Sequence, residues 1–413
     1  MIPRKRLDIG WLDLLRGIAL CLWPHKRATA QQRIEAIWGE KGETLACLSV
    51  RSGFDALLET LDFPIGSEIA MSAITIGDMS RIAEEHGLVP VPVDIDHQHL
   101  AVDPELLVRA LTPKTRALVV AHLFGSRMDM EGILRLARER ELLVIEDCAQ
   151  AYTADGYTGD PQTDVSLFSF GPIKTATALG GGLLRFRNRS LRAKVAEHQK
   201  KWPAQSRTRF GRRLLKYGLL KFLSWRLFYS AFTSACRLVG RHHDEIVAAS
   251  ARGVTGADFF AKIRQRPSAP LLALLACRLR GYHARRIEER VDIARLVDSL
   301  LDGTERPGKQ ARHHSHWIFP IMHPDPDGLM RHLWKCGFDA TRGTSSLCAI
   351  AAPPDRPGGG TPEADRLMRQ ILFLPVHTGL SREDAERLAR AIAEFNLELL
   401  ETELDEEIVE RAL

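Results

Sequence analysis

Short apolar segments alternate with amphipathic helical segments from about residue 45 to residue 150. The apolar segments are rich in Val, Ile and Leu, and the stretches between them have the apolar spacing of helices of about ten residues. This alternation is typical of a doubly wound α/β sheet that helices cover on both faces. Because ligands of such sheets bind at the carboxyl ends of the strands, we expect functional residues directly after the apolar segments. The strand-like segments are LACLSV, EIAMSAI, VPVPVDI, ALVVAHLFG and LLVIEDCAQ.

The length of 413 residues is that of a large domain with a smaller companion. We predict a helical segment at 1–44 and a large α/β domain at 45–240, in which a basic amphipathic helical insertion occupies about 195–245. Residues 246–413 are predicted to form one long connecting helix and then a small α+β domain, in which 353–363 is a loop.

The cysteines and the apolar runs exclude several classes of protein. The seven cysteines are scattered and never spaced as CxxC, so they indicate neither disulfides nor a zinc site, and we expect a reducing, cytoplasmic location. Asp13 and Arg16 interrupt the first apolar run, which we therefore interpret as an amphipathic helix and not as a signal peptide. No segment approaches the roughly 20 uncharged apolar residues that a membrane-spanning helix needs.

Two strand-like segments end in side chains that could do chemistry. Asp147 ends VIED, with Gln150 three residues later, and Ser169 and Lys174 follow the next strand before a run of glycines. A lysine can react as an amine when it is held in a crowded site that lowers its pKa. The alternatives are an acid that caps a turn and a lysine that is solvated in a loop.

The segment VRSGFDALLETL is a third candidate site. Ser52 and Gly53 follow an apolar run, and we expect the helix to begin after them. Backbone amides at the N-terminus of a helix bind phosphate, and glycine permits a close approach. A plain strand-to-helix turn capped by Ser52 is the alternative.

In their order and spacing these segments together resemble the DegT/DnrJ/StrS family of aminotransferases, which use pyridoxal 5'-phosphate (PLP) to make amino sugars. The resemblance covers roughly 45–190 and 310–395 and is poor at about 195–285. It implies the PLP-dependent transferase fold type I, which is that of aspartate aminotransferase. That fold has a large PLP-binding domain with a mainly parallel, doubly wound sheet and a smaller C-terminal α+β domain. It also implies a homodimer, because enzymes of this fold build the active site at the subunit interface.

The resemblance assigns a role to individual residues of this chain. It implies that Lys174 holds PLP as a Schiff base and moves the substrate proton, and that Asp147 keeps the pyridine nitrogen protonated. It also implies that Gln150 hydrogen-bonds the ring oxygen and that Ser169 binds the phosphate. The remaining implied cofactor residues are Gly53, Phe54 (backbone) and Asp55 at the phosphate, Ala149 under the ring and Ile76 at the stacking position.

Three positions depart from the family pattern. Phe54 stands where the family usually has Thr, and Ile76 stands where an aromatic residue usually stacks on the ring. The stretch KIRQRPSAPLLALL lacks the usual Asn that reaches the phosphate of the neighbouring subunit. His122 matches a family histidine near the cofactor. The alternative is a histidine at a strand end whose hydrogen bonds are all made within the protein. We interpret HHSHW at 313–317 as a substrate-facing or surface loop and predict no metal site.

A basic amphipathic segment lies in the poorly matching region. Between Arg185 and Arg241 there are 16 Lys or Arg and one acid, Glu197, a balance of +15, so the rest of the chain carries 5 − 15 = −10. Residues 211–241 interleave these cations with Leu, Phe, Trp and Tyr at helical spacing. The segment could bind a membrane surface, making the protein peripheral, or it could pack at the dimer interface or the active-site mouth and meet an anionic substrate. Nucleic acid is not expected, because no nucleic-acid-binding motif accompanies the charge.

The leading hypothesis is a PLP-dependent aminotransferase. By family analogy it takes the amino group from an amino acid, glutamate, and gives it to a keto group of a sugar-nucleotide-like, related small, or lipid- or carrier-linked acceptor. A PLP enzyme that catalyses dehydration is disfavoured, because family dehydratases have His in place of Lys174. The remaining alternative is a non-catalytic or differently reacting protein of this fold that acts at the membrane surface.

Overall fold

The computed structural model describes residues 1–4, 6–23, 26–238, 243, 246, 256, 258–343, 347–354 and 360–412. Two predicted features extend outside these residues. They are the end of the basic segment, at 239–241, and the middle of the predicted loop, at 355–359.

The described residues form strands and helices that alternate along most of the chain. The strands are β1 (Thr44–Cys47), β2 (Glu68–Ser72), β3 (Ile74–Ile76), β4 (Val89–Val93), β5 (Ile95–Asp96), β6 (Ala101–Val102), β7 (Thr115–Ala121), β8 (Ser126–Arg127), β9 (Leu143–Asp147), β10 (Val165–Ser169), β11 (Gly182–Phe186), β12 (His313–His314), β13 (Phe319–Met322), β14 (Leu347–Ala349) and β15 (Ile371–Leu374). The helices are α1 (Trp11–Leu22), α2 (Arg27–Trp38), α3 (Val50–Leu61), α4 (Gly77–Glu85), α5 (Pro104–Ala110), α6 (Glu131–Glu139), α7 (Arg189–Lys200), α8 (Arg207–Leu223), α9 (Arg226–Leu238), α10 (Phe259–Ile263), α11 (Ala269–Arg280), α12 (Arg285–Leu300), α13 (Pro326–Lys335), α14 (Pro362–Gln370) and α15 (Arg382–Ala412).

A seven-stranded sheet with the order β1-β11-β10-β9-β7-β2-β4 is the centre of the fold. Strands β4, β2, β7, β9 and β10 run parallel, and β11 is antiparallel to both of its neighbours, β10 and β1. Pro90 and Pro92 lie in β4 at the edge, where a missing backbone donor costs the sheet no interior hydrogen bond. The predicted mainly parallel α/β fold is confirmed.

Apolar clusters cover both faces of this sheet. Successive residues of a strand point to opposite faces, so Val119 packs in the cluster beneath α3 and α4, whereas Leu118 packs in the cluster beneath α6. A third cluster joins β10 and β11 to α1, α2, α8 and α11. Burial on both faces explains why the strands read as continuous apolar runs in the sequence.

Two predicted helix boundaries are wrong. Helix α3 begins at Val50 and not after Gly53, because the Ser49 side chain caps it by accepting a hydrogen bond from the amide of Ser52 at 3.2 Å. The long connecting helix is two helices, α11 and α12. The break comes at Gly281, which ends α11, and α12 begins at Arg285.

The C-terminal part packs around a two-stranded antiparallel sheet of β13 and β15. Helices α12, α13 and α15 bury their apolar residues against it. Two further strands return to the first part of the chain: β12 pairs with β8, and β14 pairs with β3. The domain ranges 1–44, 45–240 and 246–413 stay predictions. Among the described residues, no helix combines the length and the apolar character that crossing a membrane would require.

Candidate active site

Lys174 lies in the turn after β10, at the carboxyl end of the parallel strands. Its backbone amide donates to the carbonyl of Gly171 at 3.0 Å, and its Nζ lies 4.1 Å from the ring centre of Trp317. Burial lowers the pKa of Lys174 to about 8; the negative charge of Asp147 opposes this and the positive charge of Arg51 adds to it. At neutral pH a fraction of this amine is therefore unprotonated and nucleophilic, which is the property that Schiff-base chemistry needs.

Asp147 is the last residue of β9, beside β10. Register pairs Asp147 with Leu167, so Asp147 and Ser169 leave neighbouring strands at the same edge of the sheet. The Ala149 amide donates to Oδ1 of Asp147 at 2.9 Å. Burial raises the pKa of Asp147, against the lowering effects of that hydrogen bond and of the positive charge of Lys174. A cation placed against this carboxylate would compensate its burial.

Gln150 and Ala149 follow Asp147 on the same edge. Oε1 of Gln150 accepts from the amide of Phe124 at 2.8 Å, which fixes the side chain beside the end of β7. Ala149 is half-buried against the cluster beneath α3. The structure thus brings together Lys174, Asp147, Ala149, Gln150 and Ser169.

The N-terminus of α3 lies beside Ser169. Register pairs Ser169 with Gly182, and a Cβ at Gly182 would come within 2.7 Å of the carbonyl carbon of Ser49 and the nitrogen of Val50. Glycine at 182 therefore lets the start of α3 contact the sheet edge. The first amides of a helix have no partner inside it, so this edge presents backbone donors and a hydroxyl to an anion.

Arg51 adds a positive charge to this edge, and the sequence analysis did not identify it. Its side chain pairs with Asp78, and its charge lowers the pKa of both Lys174 and Asp147. A single arginine in the first turn of a helix is common in any protein. Its relevance depends on the sheet register that brings α3 to Lys174.

Four other predicted cofactor residues are engaged in contacts of their own. The Gly53 amide donates to Ser49 within α3, and a Cβ there would meet Leu184 at 2.5 Å. Phe54 is fully buried in the cluster beneath α3, and the Asp55 carboxylate pairs with Arg264 at 2.9 Å and with His86 at 3.1 Å. Ile76 ends β3 opposite Leu347 of β14. Roles of Gly53, Phe54, Asp55 and Ile76 toward the cofactor stay predictions.

The segment of residues 313–318 forms one wall of the site. This segment lies alongside residues 124–127. Strand β12 pairs with β8, and the Ser315 amide donates to the Gly125 carbonyl at 2.8 Å. Gly125 has φ +101°, and a Cβ there would come within 2.6 Å of the Trp317 nitrogen. Nε1 of Trp317 donates to the carbonyl of Ile173 at 3.1 Å, which holds the indole over Lys174. The substrate-facing interpretation of HHSHW agrees with this position.

A cluster of buried basic side chains lies behind this wall. Arg290 donates from Nε to the Ser315 carbonyl at 2.7 Å and from Nη1 to Thr175 Oγ1 at 3.3 Å, and its buried Nη2 has no partner among the described residues. Arg306 pairs with Asp298 at 2.6 Å, and its buried Nη1 also lacks a partner in the described part of the chain.

Two stacked histidines complete this basic cluster. The rings of His314 and His316 lie 4.1 Å apart, and Nδ1 of His314 accepts from the amide of His316 at 2.9 Å. Burial, followed by the positive charges of Arg306 and Arg290, lowers the pKa of His314 to about 3. A neutral His314 then carries its proton on Nε2, a buried donor without an acceptor in the described residues. The cluster therefore has spare donors and excess positive charge, which suit an anion.

His122 belongs to a satisfied network beneath the site. Its Nδ1 accepts from the Met128 amide at 3.2 Å, so Nε2 carries the proton and donates to Glu146 at 2.8 Å. Glu146 also accepts from Ser166 at 2.9 Å. The possible ligand atoms of His122, Glu146 and Cys148 lie within 4.8 Å of one another, but hydrogen bonds already use both histidine nitrogens. The network holds the ends of β7 and β9 together, and it offers no free ligand set for a metal.

Comparison with known proteins identifies the enzyme class. The model of the DegT/DnrJ/EryC1/StrS aminotransferase family matches residues 26–212, and over these residues the chain is similar to that family. Together with the relatives named below, this match shows that the chain is a PLP-dependent aminotransferase. One relative is a dTDP-3-amino-3,4,6-trideoxy-alpha-D-glucose transaminase of Micromonospora megalomicea, which is 26% identical over 364 residues, 84% of each protein.

Further similarities concern a part of the chain and the fold. A UDP-N-acetyl-3-dehydro-alpha-D-glucosamine 3-aminotransferase of Acidithiobacillus ferrooxidans is 38% identical over 136 residues, 32% of this chain and 37% of that protein. The crystal structure of the aminotransferase TlmJ from Streptoalloteichus hindustanus matches with a TM-score of 0.70 at 20% identity, covering 97% of this chain and 100% of that one. At this identity the likeness shows the fold, and it confirms the predicted fold type I.

The residues at the sheet edge fit PLP. The start of α3, the Ser169 hydroxyl and Arg51 would hold a phosphate at this edge, where a Cβ at Gly182 would contact the backbone of Ser49 and Val50. At the other end of the site, the buried carboxylate of Asp147 forms no ion pair with the described residues, and a protonated pyridine nitrogen would supply a cation there. Lys174 lies in the turn beside both features.

Proposed function

We propose that this enzyme transfers the amino group of an acidic amino acid, glutamate by family analogy, to the keto group of a sugar acceptor. The relatives named above include a transaminase of a dTDP-linked sugar and an aminotransferase of a UDP-linked sugar, which supports a nucleotide-linked acceptor. A lipid- or carrier-linked acceptor is the second possibility. The observation that carries the proposal is the meeting of Lys174, Asp147 and Ser169 at one edge of the sheet.

Asp147 and Lys174 divide the chemical work in this proposal. Bound PLP supplies an electron sink for the electrons of the donor Cα–H bond. Asp147 holds a proton on the pyridine nitrogen, and its own burial strengthens that charge interaction. Lys174, with a pKa of about 8, would take the Cα proton of the donor at Nζ and then give it to carbon C4′ of the cofactor.

Four further groups would orient the cofactor. Ser169, Arg51 and the first amides of α3 would bind the phosphate, and Gln150, whose Oε1 accepts from the Phe124 amide, would hydrogen-bond the ring oxygen. Arg51 would add positive charge at the phosphate, where the Phe54 side chain offers no hydroxyl. The Trp317 indole lies over Nζ of Lys174, where it attracts the ammonium form and excludes water.

The buried basic cluster of Arg290, Arg306, His314 and His316 supports an acidic donor. Arg290 is hydrogen-bonded to Thr175, the neighbour of Lys174, so an anion bound by its spare Nη2 would lie close to the reacting amine. The cluster holds more positive than negative charge and has unused donors. A carboxylate of the amino donor would satisfy both conditions.

A spectrum of the PLP-loaded enzyme tests amino transfer. Glutamate should shift the absorbance band of the bound cofactor, and a keto sugar nucleotide should reverse the shift. Lys174→Ala should lose the starting band and the turnover, whereas Lys216→Ala, on the exposed side of α8, should keep both. Bound PLP that no amino acid perturbs would refute the proposal.

The sequence also left open a protein of this fold that acts without catalysis at a membrane surface. Its lack of catalysis does not agree with the comparisons, because the chain is an aminotransferase. Lys174→Ala should therefore abolish the biological activity. We also propose a homodimer by family analogy, which the molar mass in solution measures.

A further inference from the structure

Helices α1 and α8 pack closely and antiparallel at one side of the molecule. A Cβ at Gly17 of α1 would lie 2.7 Å from Leu214 of α8, and a Cβ at Gly211 of α8 would lie 3.8 Å from Cys21 of α1. Their shared inner face, including Leu14, Phe210 and Leu214, is buried in the cluster that also contains α11. The two helices therefore form one continuous layer with a second, outward face.

The outward face of this layer is apolar and exposed. Leu12 is 68% exposed, Leu215 is 63% exposed and Leu227 is 84% exposed, whereas large apolar residues are normally covered when they occur in groups. We name this surface the docking face. Its members are Trp11, Leu12, Leu15, Leu22, Trp23, Leu215, Leu219, Phe222, Leu223, Trp225, Leu227 and Phe228.

Aromatic rings cluster on the docking face at the corner between α8 and α9. The rings of Phe222 and Phe228 lie 4.6 Å apart, and those of Phe222 and Trp225 lie 5.4 Å apart. Each of the three residues is more than one third exposed. Trp and other aromatic side chains are favoured where an apolar phase meets water, as at the headgroups of a bilayer.

The opposite side of α9 fixes this corner to the rest of the protein. Tyr229 donates to the buried carboxylate of Asp339 at 2.5 Å, and Arg226 pairs with Asp384 at 3.5 Å. The amino terminus donates to Ser230 at 2.5 Å. The aromatic corner is thus carried on an anchored helix and does not depend on ordering when a partner binds.

Positive charge accompanies the apolar side chains. Residues 207–238 contain eight Lys or Arg and no Asp or Glu, and Arg209, Arg212 and Lys216 are exposed on α8. A second copy of the chain docked on this face by twofold symmetry would bring these cations against each other. An anionic surface would instead be attracted to them, so charge favours a lipid over a self-contact.

We infer that the docking face binds the surface of an anionic lipid bilayer, with the aromatic and leucine side chains in the headgroup region and the cations at the lipid phosphates. The described helices include none that could span the membrane, so the protein lies on it. The site of Lys174 is formed by other elements. Failure of the amino-transfer proposal would therefore leave this inference intact, and the reverse also holds.

Flotation of the full chain with vesicles tests the inference. We expect the protein to float with phosphatidylcholine vesicles that contain phosphatidylglycerol, at low salt, and not with phosphatidylcholine alone or at high salt. Arg209→Gln with Arg212→Gln removes two cations and should weaken binding about 25-fold, at about fivefold for each cation. Trp225→Ser with Leu227→Ser should abolish flotation.

Matched variants on other surfaces distinguish binding by this face from nonspecific adsorption to vesicles. Ile65, which is 90% exposed, and Leu397, which is 62% exposed, are changed to Ser, and the exposed Arg135 and Arg285 are changed to Gln. Both pairs should float as wild type does. The inference is overturned if the wild type stays unbound, or if both sets of variants lose binding equally. It is also overturned if the docking-face variants dissociate a dimer while no vesicle binding occurs.

Discussion

Replacement of Gly182 by Ala tests whether the start of α3 holds the phosphate of PLP. The new Cβ would lie 2.7 Å from the carbonyl carbon of Ser49 and from the nitrogen of Val50. These are backbone atoms, so no side chain can rotate away. To reach an ordinary contact of 3.4 Å, the start of α3 must retreat by about 0.7 Å from the strand edge.

That retreat is large on the scale of a hydrogen bond. A bond of about 2.9 Å that lengthens by the same amount leaves the normal range for N–H donors. One charge-assisted hydrogen bond contributes about 1.5–3 kcal/mol, so we expect the dissociation constant for PLP to rise about 10- to 150-fold. The overpacking itself should lower the free energy of unfolding by about 1–3 kcal/mol.

Titration of the PLP-free protein with PLP, followed by absorbance, measures the first effect, and urea unfolding measures the second. Gly171→Ala is the matched control, because its Cβ would lie 3.7 Å from Ser169 Oγ, an ordinary contact in the same site. A folded Gly182→Ala protein with wild-type affinity for PLP would show that the phosphate is held elsewhere.

Three further variants test the electrostatics of the site. Burial lowers the pKa of Lys174 from 10.5 to about 8, so the folded chain binds fewer protons than the unfolded chain between these values. Lys174→Met should therefore stabilise the PLP-free protein at neutral pH, and urea unfolding should find that this advantage shrinks as pH rises from about 8 to 10.5; a constant advantage would contradict the lowered pKa. Arg290→Met should raise KM for glutamate about tenfold or more in steady-state assays and leave KM for the keto acceptor unchanged; equal changes in both would argue against a donor site. Asp147→Asn cannot balance a pyridinium charge, so kcat should fall about 100-fold or more while the protein still binds PLP; near-normal turnover would remove Asp147 from the mechanism.

The period of the apolar runs was sufficient to predict the central sheet. Strands buried on both faces read as mainly apolar runs, and such runs marked β1, β2, β4, β7 and β9. The helix boundaries were harder to predict from the sequence, because they depend on single side chains. The Ser49 cap lets α3 begin at Val50, three residues before Gly53, and Gly281 divides a segment that was predicted as one helix.

The candidate site was predictable where it depends on strand ends. Asp147 and Ser169 end neighbouring parallel strands, so their meeting follows from the alternation of strands and helices. Arg51, Trp317 and Arg290 were not predictable from spacing, because each reaches Lys174 through contacts between segments far apart in the chain. Arg290 acts across 115 residues of sequence to Thr175, and Trp317 acts across 144 residues to Ile173.

Residues placed by strand ends differ in this way from the positions at which the chain departs from the family pattern. Asp147 and Ser169 are positioned by the register of β9, β10 and β11, and Lys174 lies in the turn that follows β10. Phe54 and Asp55 lie one turn inside α3, where a buried ring fills the cluster below and the carboxylate pairs with Arg264. Arg264 lies in the stretch that lacks the usual Asn. Asp55 and Arg264 thus pair with each other within one subunit. Arg51, at the start of the same helix, places a positive charge near Lys174, and we propose that this charge acts on the bound phosphate.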